Sequence, residues 1–165
     1  LELMPILYLK LKATLAGVTD LAPIDTQAEP YEYVFKVTCT TCRTTHDKAV
    51  LVNRFETYDT TDSKGHTNFS FRCKECKKAH NANFERTTDV YTEEKSGKWV
   101  PMLQIDARGI EFSDFEAEGR FEAKGITSGT KFDEVDLSDK EWYDYDDRAG
   151  EEVSITEVQW EIERL

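Results

Sequence analysis

Apolar and polar side chains alternate along several segments of the chain, which is the pattern of a β-strand with one buried and one solvated face. The four clearest segments are residues 8–13, 33–38, 103–107 and 153–162. No segment carries the i, i+3, i+4, i+7 spacing of an amphipathic helix over about a dozen positions. Because this alternation is typical of antiparallel sheets, the sequence predicts an all-β fold, sandwich-like or barrel-like.

The chain also contains a weak internal repeat. Residues 9–13 align with residues 103–107 at an offset of 94 positions, and a shorter match further along has an offset of 86. The alignment predicts two related antiparallel β half-domains, residues 1–92 and 98–165, around a polar linker at 91–98. Chance similarity between two generic strand patterns is the alternative.

The net charge of the protein comes wholly from its last 65 residues. Residues 1–100 carry equal numbers of acidic and basic side chains, whereas residues 101–165 carry 19 acidic and 7 basic ones, which accounts for the net charge of −12. Such a surface repels phosphate backbones and anionic lipids. We therefore expect no nucleic-acid and no membrane partner. The acidic face serves either solubility or the docking of a basic protein partner.

The location of the protein is predicted from two further features. No apolar run approaches the roughly 20 residues that span a bilayer. Residues 4–11 are interrupted by Lys10 and lack the basic start and small-residue cleavage site of a signal peptide. We expect a cytoplasmic monomer, with the nucleus as a second compartment.

The four cysteines form two C-x2-C pairs that are thirty residues apart. Two such pairs supply four thiolates, and tetrahedral Zn²⁺ takes four sulfurs at about 2.3 Å. Basic side chains around the second pair, including Lys74 and Lys77, offset the negative charge of such a site. The spacing predicts one structural Zn²⁺ per chain in two zinc knuckles of the first half-domain, with these ligands: Cys39, Cys42, Cys73 and Cys76.

Other uses of the cysteines remain open at this point. Disulfides require an oxidising compartment, a redox C-x2-C pair sits at a helix N-terminus, and an iron–sulfur cluster also takes four cysteines. His46 and His80 each follow a pair by four residues, so either could replace one sulfur. With four cysteines present, we expect both histidines beside the site or on the surface.

The sequence offers no arrangement of catalytic residues. Four cysteines close the coordination shell that a catalytic zinc keeps open, and neither a nucleophile elbow nor a phosphate-binding loop is present. The carboxylates around Asp144, Asp146 and Asp147 are predicted to lie in a solvated loop anchored by Trp142 and one tyrosine. We expect a non-enzymatic protein-interaction module. The alternative is a metal-handling or thiol-redox protein, and the third hypothesis is a zinc-ribbon binder of nucleic acid.

Several strings resemble the eukaryotic CXXC-motif-containing zinc-binding protein family over residues 9–160. Besides the two cysteine pairs they are Leu11-Lys-Ala-Thr-Leu15, Asp47-Lys48, Arg108-Gly109, Gly125-Ile-Thr-Ser-Gly-Thr130 and Trp142-Tyr-Asp-Tyr-Asp146. The resemblance implies an all-β fold of two related halves, of which only the first holds metal through the two cysteine pairs. The family has no established enzymatic activity, so the resemblance implies a fold and a ligand set rather than a reaction. One departure is His46, where family members usually have serine.

Overall fold

The computed structural model describes residues 6–59 and 66–164, and these residues form an all-β protein, as predicted. A single 3-10 turn, Glu93–Lys95, is the one helical element of the described ranges. None of the described residues forms a helix long and apolar enough to cross a membrane. The strands are β1 Ile6–Ala16, β2 Val18–Pro23, β3 Glu32–Cys39, β4 Val50–Asn53, β5 Tyr58–Asp59, β6 His66–Thr67, β7 Phe69–Arg72, β8 Ala79–Arg86, β9 Val100–Arg108, β10 Ile110–Glu116, β11 Arg120–Gly125, β12 Lys131–Asp136, β13 Trp142–Asp146 and β14 Glu151–Arg164.

Each of the three larger sheets contains strands from both predicted half-domains. The main sheet has the order β13-β14-β1-β9-β8-β7, with the antiparallel pair β1 and β9 at its centre. Two three-stranded sheets have the orders β10-β3-β4 and β12-β11-β2. The repeat and the 92/98 boundary remain predictions. The pairing nevertheless means that neither range completes its sheets without the other.

The centre of the main sheet coincides with the aligned segments of the repeat. Leu9 lies opposite Leu103, and the 94-residue offset aligns these same two positions. Along β1 every second side chain is buried, beginning at Leu9. The alternation of apolar and polar residues in the sequence therefore reflects the burial of one face of this strand. The polar side chains between them face away from the core.

One hydrophobic core lies between the main sheet and the two smaller sheets. Aromatic pairs connect the layers: Phe35 of β3 stacks on Phe84 of β8 with ring centroids 5.9 Å apart, and Phe121 of β11 contacts Trp160 of β14 at the same centroid distance. Since the core contains side chains from both ranges, packing ties the two ranges together as the strand pairing does.

The predicted linker is fixed in this core by Tyr91. Its side chain is fully buried, and its hydroxyl accepts the N–H of Ala13 at 3.1 Å while lying 2.7–2.9 Å from the carbonyl oxygens of Ala13, Lys95 and Lys98. A buried phenol with polar partners of this kind holds a loop in one conformation. Tyr91 therefore joins the predicted linker firmly to the core.

Candidate metal centre

The first cysteine pair lies in a tight turn at the end of β3. The N–H of Cys39 donates to the carbonyl of Thr44 at 3.0 Å, and the N–H of Arg43 donates to the carbonyl of Cys39 at 2.8 Å. Arg43 has a φ of 63°, the left-handed conformation that closes such a turn. The turn is also tied to the second range, because the N–H of Thr40 donates to the carbonyl of Gly109 at 3.1 Å.

The second pair occupies an equivalent turn between β7 and β8. The N–H of Cys73 donates to the carbonyl of Lys78 at 2.9 Å, and the N–H of Lys77 donates to the carbonyl of Cys73 at 3.0 Å. Lys77 has a φ of 67°. The two knuckles thus share one backbone hydrogen-bond pattern and one left-handed residue at the same place.

The turns bring the four sulfur atoms together. The Sγ atoms of Cys39 and Cys76 are 3.6 Å apart, as are those of Cys42 and Cys73, and all four lie within 4.8 Å of one another. In a tetrahedral ZnS₄ unit with bonds of about 2.3 Å, the sulfurs are about 3.8 Å apart. The cysteines are free thiols rather than disulfides, and their spacing fits one tetrahedral ion.

Two histidines border the sulfur cluster. The Nε2 of His80 lies 3.1 Å from the Sγ of Cys39, and the Nε2 of His46 lies 3.5 Å from the Sγ of Cys73. His80 is buried, and a Cβ at Gly109 would stand 2.2 Å from its Nδ1, so glycine makes the space for the ring. Both imidazoles are placed to donate an N–H to a thiolate rather than to replace one.

The thiols differ in how readily they ionise. Hydrogen bonds from the hydroxyl and the backbone N–H of Thr44 lower the pKa of Cys42 to about 6. Burial opposes ionisation of Cys39, but backbone N–H groups of its own turn outweigh burial and lower its pKa. The N–H of Lys78 favours the Cys76 thiolate, yet burial and the three neighbouring sulfurs raise its pKa to about 11. A dication among the sulfurs would favour all four thiolates together, because coordination deprotonates a thiol.

A profile of the family described as "CXXC motif containing zinc binding protein, eukaryotic" matches residues 8–163. The chain belongs to this family. The resemblance found in the sequence is therefore confirmed, and it extends over nearly the whole chain.

Relatives and a solved structure agree with the assignment to this family. A UPF0587 protein of Schizosaccharomyces pombe is 41% identical, and the match covers 94% of this chain and 96% of that protein. The CXXC motif containing zinc binding protein of Homo sapiens is 30% identical, with 91% and 92% covered. The crystal structure of C1orf123 superposes with a TM-score of 0.89 at 28% identity, over 97% of this chain and 99% of that one.

The second range contains a turn of the same form without cysteines. The N–H of Gly125 donates to the carbonyl of Thr130 at 2.8 Å, and that of Gly129 donates to the carbonyl of Gly125 at 3.0 Å. These bonds repeat the pattern around Cys39 at an offset of 86 residues. Gly125 has no room for a side chain, because a Cβ would lie 2.4 Å from the Oγ of Ser128.

Asp146 holds this turn, and the sequence interpretation of its surroundings was wrong on this point. Its side chain is only 1% exposed. Its carboxylate accepts the hydroxyls of Ser128 at 2.5 Å and Thr130 at 2.8 Å, and the backbone N–H groups of Arg148 and Ala149 at 3.1 and 3.2 Å. Four donors therefore meet at this one carboxylate, two from the turn at 125–130 and two from the turn that follows β13.

The rest of the acidic segment lies on the surface. Trp142 anchors it by packing edge-on against Phe132, with ring centroids 5.3 Å apart. The prediction that a tyrosine also anchors the segment is wrong, because Tyr143 and Tyr145 are 65% and 49% exposed. The burial of Asp146 could be predicted only from its position opposite Ser128. Composition does not distinguish this buried carboxylate from the exposed carboxylates beside it.

Proposed function

We propose that Cys39, Cys42, Cys73 and Cys76 bind one Zn²⁺ per chain and that the ion stabilises the fold rather than reacts. The observation that carries this is the sulfur spacing of 3.6 Å within a cluster no wider than 4.8 Å. Four protein ligands leave no position for water or substrate. The names of the relatives, which describe zinc-binding proteins, support the same metal.

Local charge supports a dianionic ZnS₄ unit at this place. The exposed basic side chains around the second knuckle are Arg72, Lys74, Lys77 and Lys78. His80 and His46 place a ring nitrogen directly at the sulfurs of Cys39 and Cys73. Donors to coordinating sulfurs stabilise thiolates that carry excess negative charge.

The role of His80 can be measured by zinc transfer to a colorimetric chelator. His80→Phe keeps an aromatic ring of similar size and loses the N–H, so we expect zinc affinity to fall by about 10–100-fold. His80→Gln retains an N–H donor and serves as the matched control, with a smaller loss. A His80→Phe protein that binds zinc as tightly as the wild type would refute this role.

We propose further that the protein acts without catalysis, by binding a basic protein partner through its acidic surface. We call this surface the acidic edge; it comprises β13 and the following turn, with exposed carboxylates at Glu141, Asp144, Asp147, Glu151 and Glu152. Arg148 is the one cation between the first and last of them. Clustered like charge steers an oppositely charged partner and raises its association rate.

A charge-matched pair of variants tests the acidic edge. In the first variant Asp144 and Asp147 become Asn and Glu151 and Glu152 become Gln; in the control four exposed carboxylates elsewhere become Gln: Glu32, Glu85, Glu93 and Glu94. Both lose four negative charges, but only the first is expected to lose the partners recovered by proximity labelling in cells. Equal recovery by the two variants would count against the acidic edge.

The alternative is that the cysteines exchange metal or undergo oxidation. It is supported by the half-exposed positions of Cys42 and Cys76, which leave one side of the cluster near solvent. The chelator experiment separates the two functions. A metal-handling site releases zinc quickly to a competing thiol ligand, whereas a structural ion stays bound until the protein unfolds.

A further inference from the structure

Strand β13 is an open edge of the main sheet. It pairs with β14 on one side, from Trp142 opposite Ile155 to Asp146 opposite Glu151, and the sheet order places no strand beyond it in the described ranges. An edge strand presents unpaired N–H and C=O groups to any chain that approaches in an extended conformation. This edge is therefore a possible site for strand addition.

The backbone groups on the open side belong to Tyr143 and Tyr145. The N–H of Tyr145 lies 2.7 Å from the Oδ1 of Asp144 rather than on β14, so it points outward. Residues alternate between inward and outward backbone groups in an antiparallel pair, which gives Tyr143 the same orientation. The two outward residues thus provide the two donor–acceptor sets that an added strand would use.

The same two residues present a surface suited to cations. Their rings lie on the outer face of the sheet beside Glu152 and Ser154, which pair with Tyr145 and Tyr143, and the depression they line has a volume of ≈ 600 Å³. Guanidinium and ammonium groups bind favourably to aromatic faces and to carboxylates. The opposite edge, β7, has Arg72 at its end and would repel such a ligand.

We propose that an extended, Arg- and Lys-rich segment of a partner protein adds to β13 as a seventh strand of the main sheet. The proposal rests on the acidic edge being the docking surface and names how it binds. Backbone pairing at Tyr143 and Tyr145 supplies the register, and alternate basic side chains reach the tyrosine rings and Glu152. On binding, the Asp144 carboxylate gives up its hydrogen bond with the N–H of Tyr145 and forms an ion pair with a basic side chain of the incoming strand.

The test uses the zinc-loaded full chain and an eight-residue peptide that alternates Arg with Thr, with binding measured by calorimetry. Tyr143→Pro removes an outward N–H without touching the bonds to β14, which proline at an edge permits. We expect it to weaken binding about tenfold or more. Because proline also removes the ring, Tyr143→Ala is the control: it loses the ring but keeps the N–H, and it should bind more tightly than Tyr143→Pro.

A second probe keeps the experiment decisive if the proline variant is unstable. The same peptide with every backbone N–H methylated retains its charge but cannot pair as a strand, and it is expected to bind the wild type about tenfold more weakly. Equal binding of the two peptides overturns strand addition. If the four-carboxylate variant then still loses binding, docking at the acidic edge survives; if that variant binds both peptides normally, the docking surface fails as well.

Discussion

Replacing Cys73 by Ser is expected to reduce bound zinc from one ion per chain to a small fraction of that and to lower Tm by about 10 °C or more. Three sulfurs and a hydroxyl do not complete the coordination shell of the zinc ion. In sites of this type, metal binding contributes directly to the free energy of folding. Zinc counted by elemental analysis and Tm measured by calorimetry check both parts. Thr40→Ser changes an exposed residue within the first knuckle and is the control. Its zinc content and Tm should equal those of the wild type.

Cys73→Ser should destabilise some strands more than others, in a defined order. If the two predicted half-domains were independent, the loss would loosen residues 33–92 and affect the second range less. In the structure, Cys39 pairs with Ile110, and β8 pairs with β9 from Asn81 to Arg86. Hydrogen exchange should therefore show lost protection in β3, β7 and β8, then in β9 and β10, and least in β11–β13. A Cys73→Ser protein with full zinc and unchanged Tm would contradict the structural role of the ion.

Asp146→Ala should cause the largest loss of stability among the carboxylates of the acidic segment. The change leaves the Ser128 and Thr130 hydroxyls and two backbone N–H groups of half-buried turns without their acceptor. We expect a fall in Tm of several degrees. Asp147→Ala, which alters an exposed neighbour, should leave Tm almost unchanged, and equal Tm values for the two variants would refute the role of Asp146.

The contribution of Asp146 should also depend on pH. The Ser128 hydroxyl and, after it, Thr130 and the backbone donors hold the pKa of this carboxyl below its ordinary value, although burial opposes them. A carboxyl with a depressed pKa in the folded state stabilises the protein above its unfolded pKa of about 4 and loses that effect as the pH falls. The Tm difference between wild type and Asp146→Asn should therefore be constant from pH 7 to 5 and shrink below about pH 4.

Local patterns predicted local structure well. The alternating residues 8–13 lie within β1, 33–38 within β3, 103–107 within β9 and 153–162 within β14, because a half-buried strand imposes period-two alternation directly on the sequence. The C-x2-C spacing likewise predicted the cysteine cluster, since each short turn can place two sulfurs only a few ångströms apart. The family resemblance pointed to the same four cysteines.

Long-range arrangements were not predictable in this way. Nothing in the alternation of β2 or β3 indicates that they pair with β11 and β10, since register and partner depend on the whole core. Asp146 was placed in a solvated loop because its burial depends on Ser128, eighteen residues away. The contact of His80 with Cys39 depends equally on the space left by Gly109.

The interleaved strand order governs when the protein can fold during its synthesis. β1 pairs with β9 and β14, and β2 pairs with β11. Because these partners are synthesised later, the first two strands leave the ribosome unpaired. The hairpin β7–β8 and the pair β3–β4 involve only nearby residues and are available earlier. Nascent chains are thus exposed to aggregation and chaperone binding until the final strand emerges, because non-local pairing is slow to form.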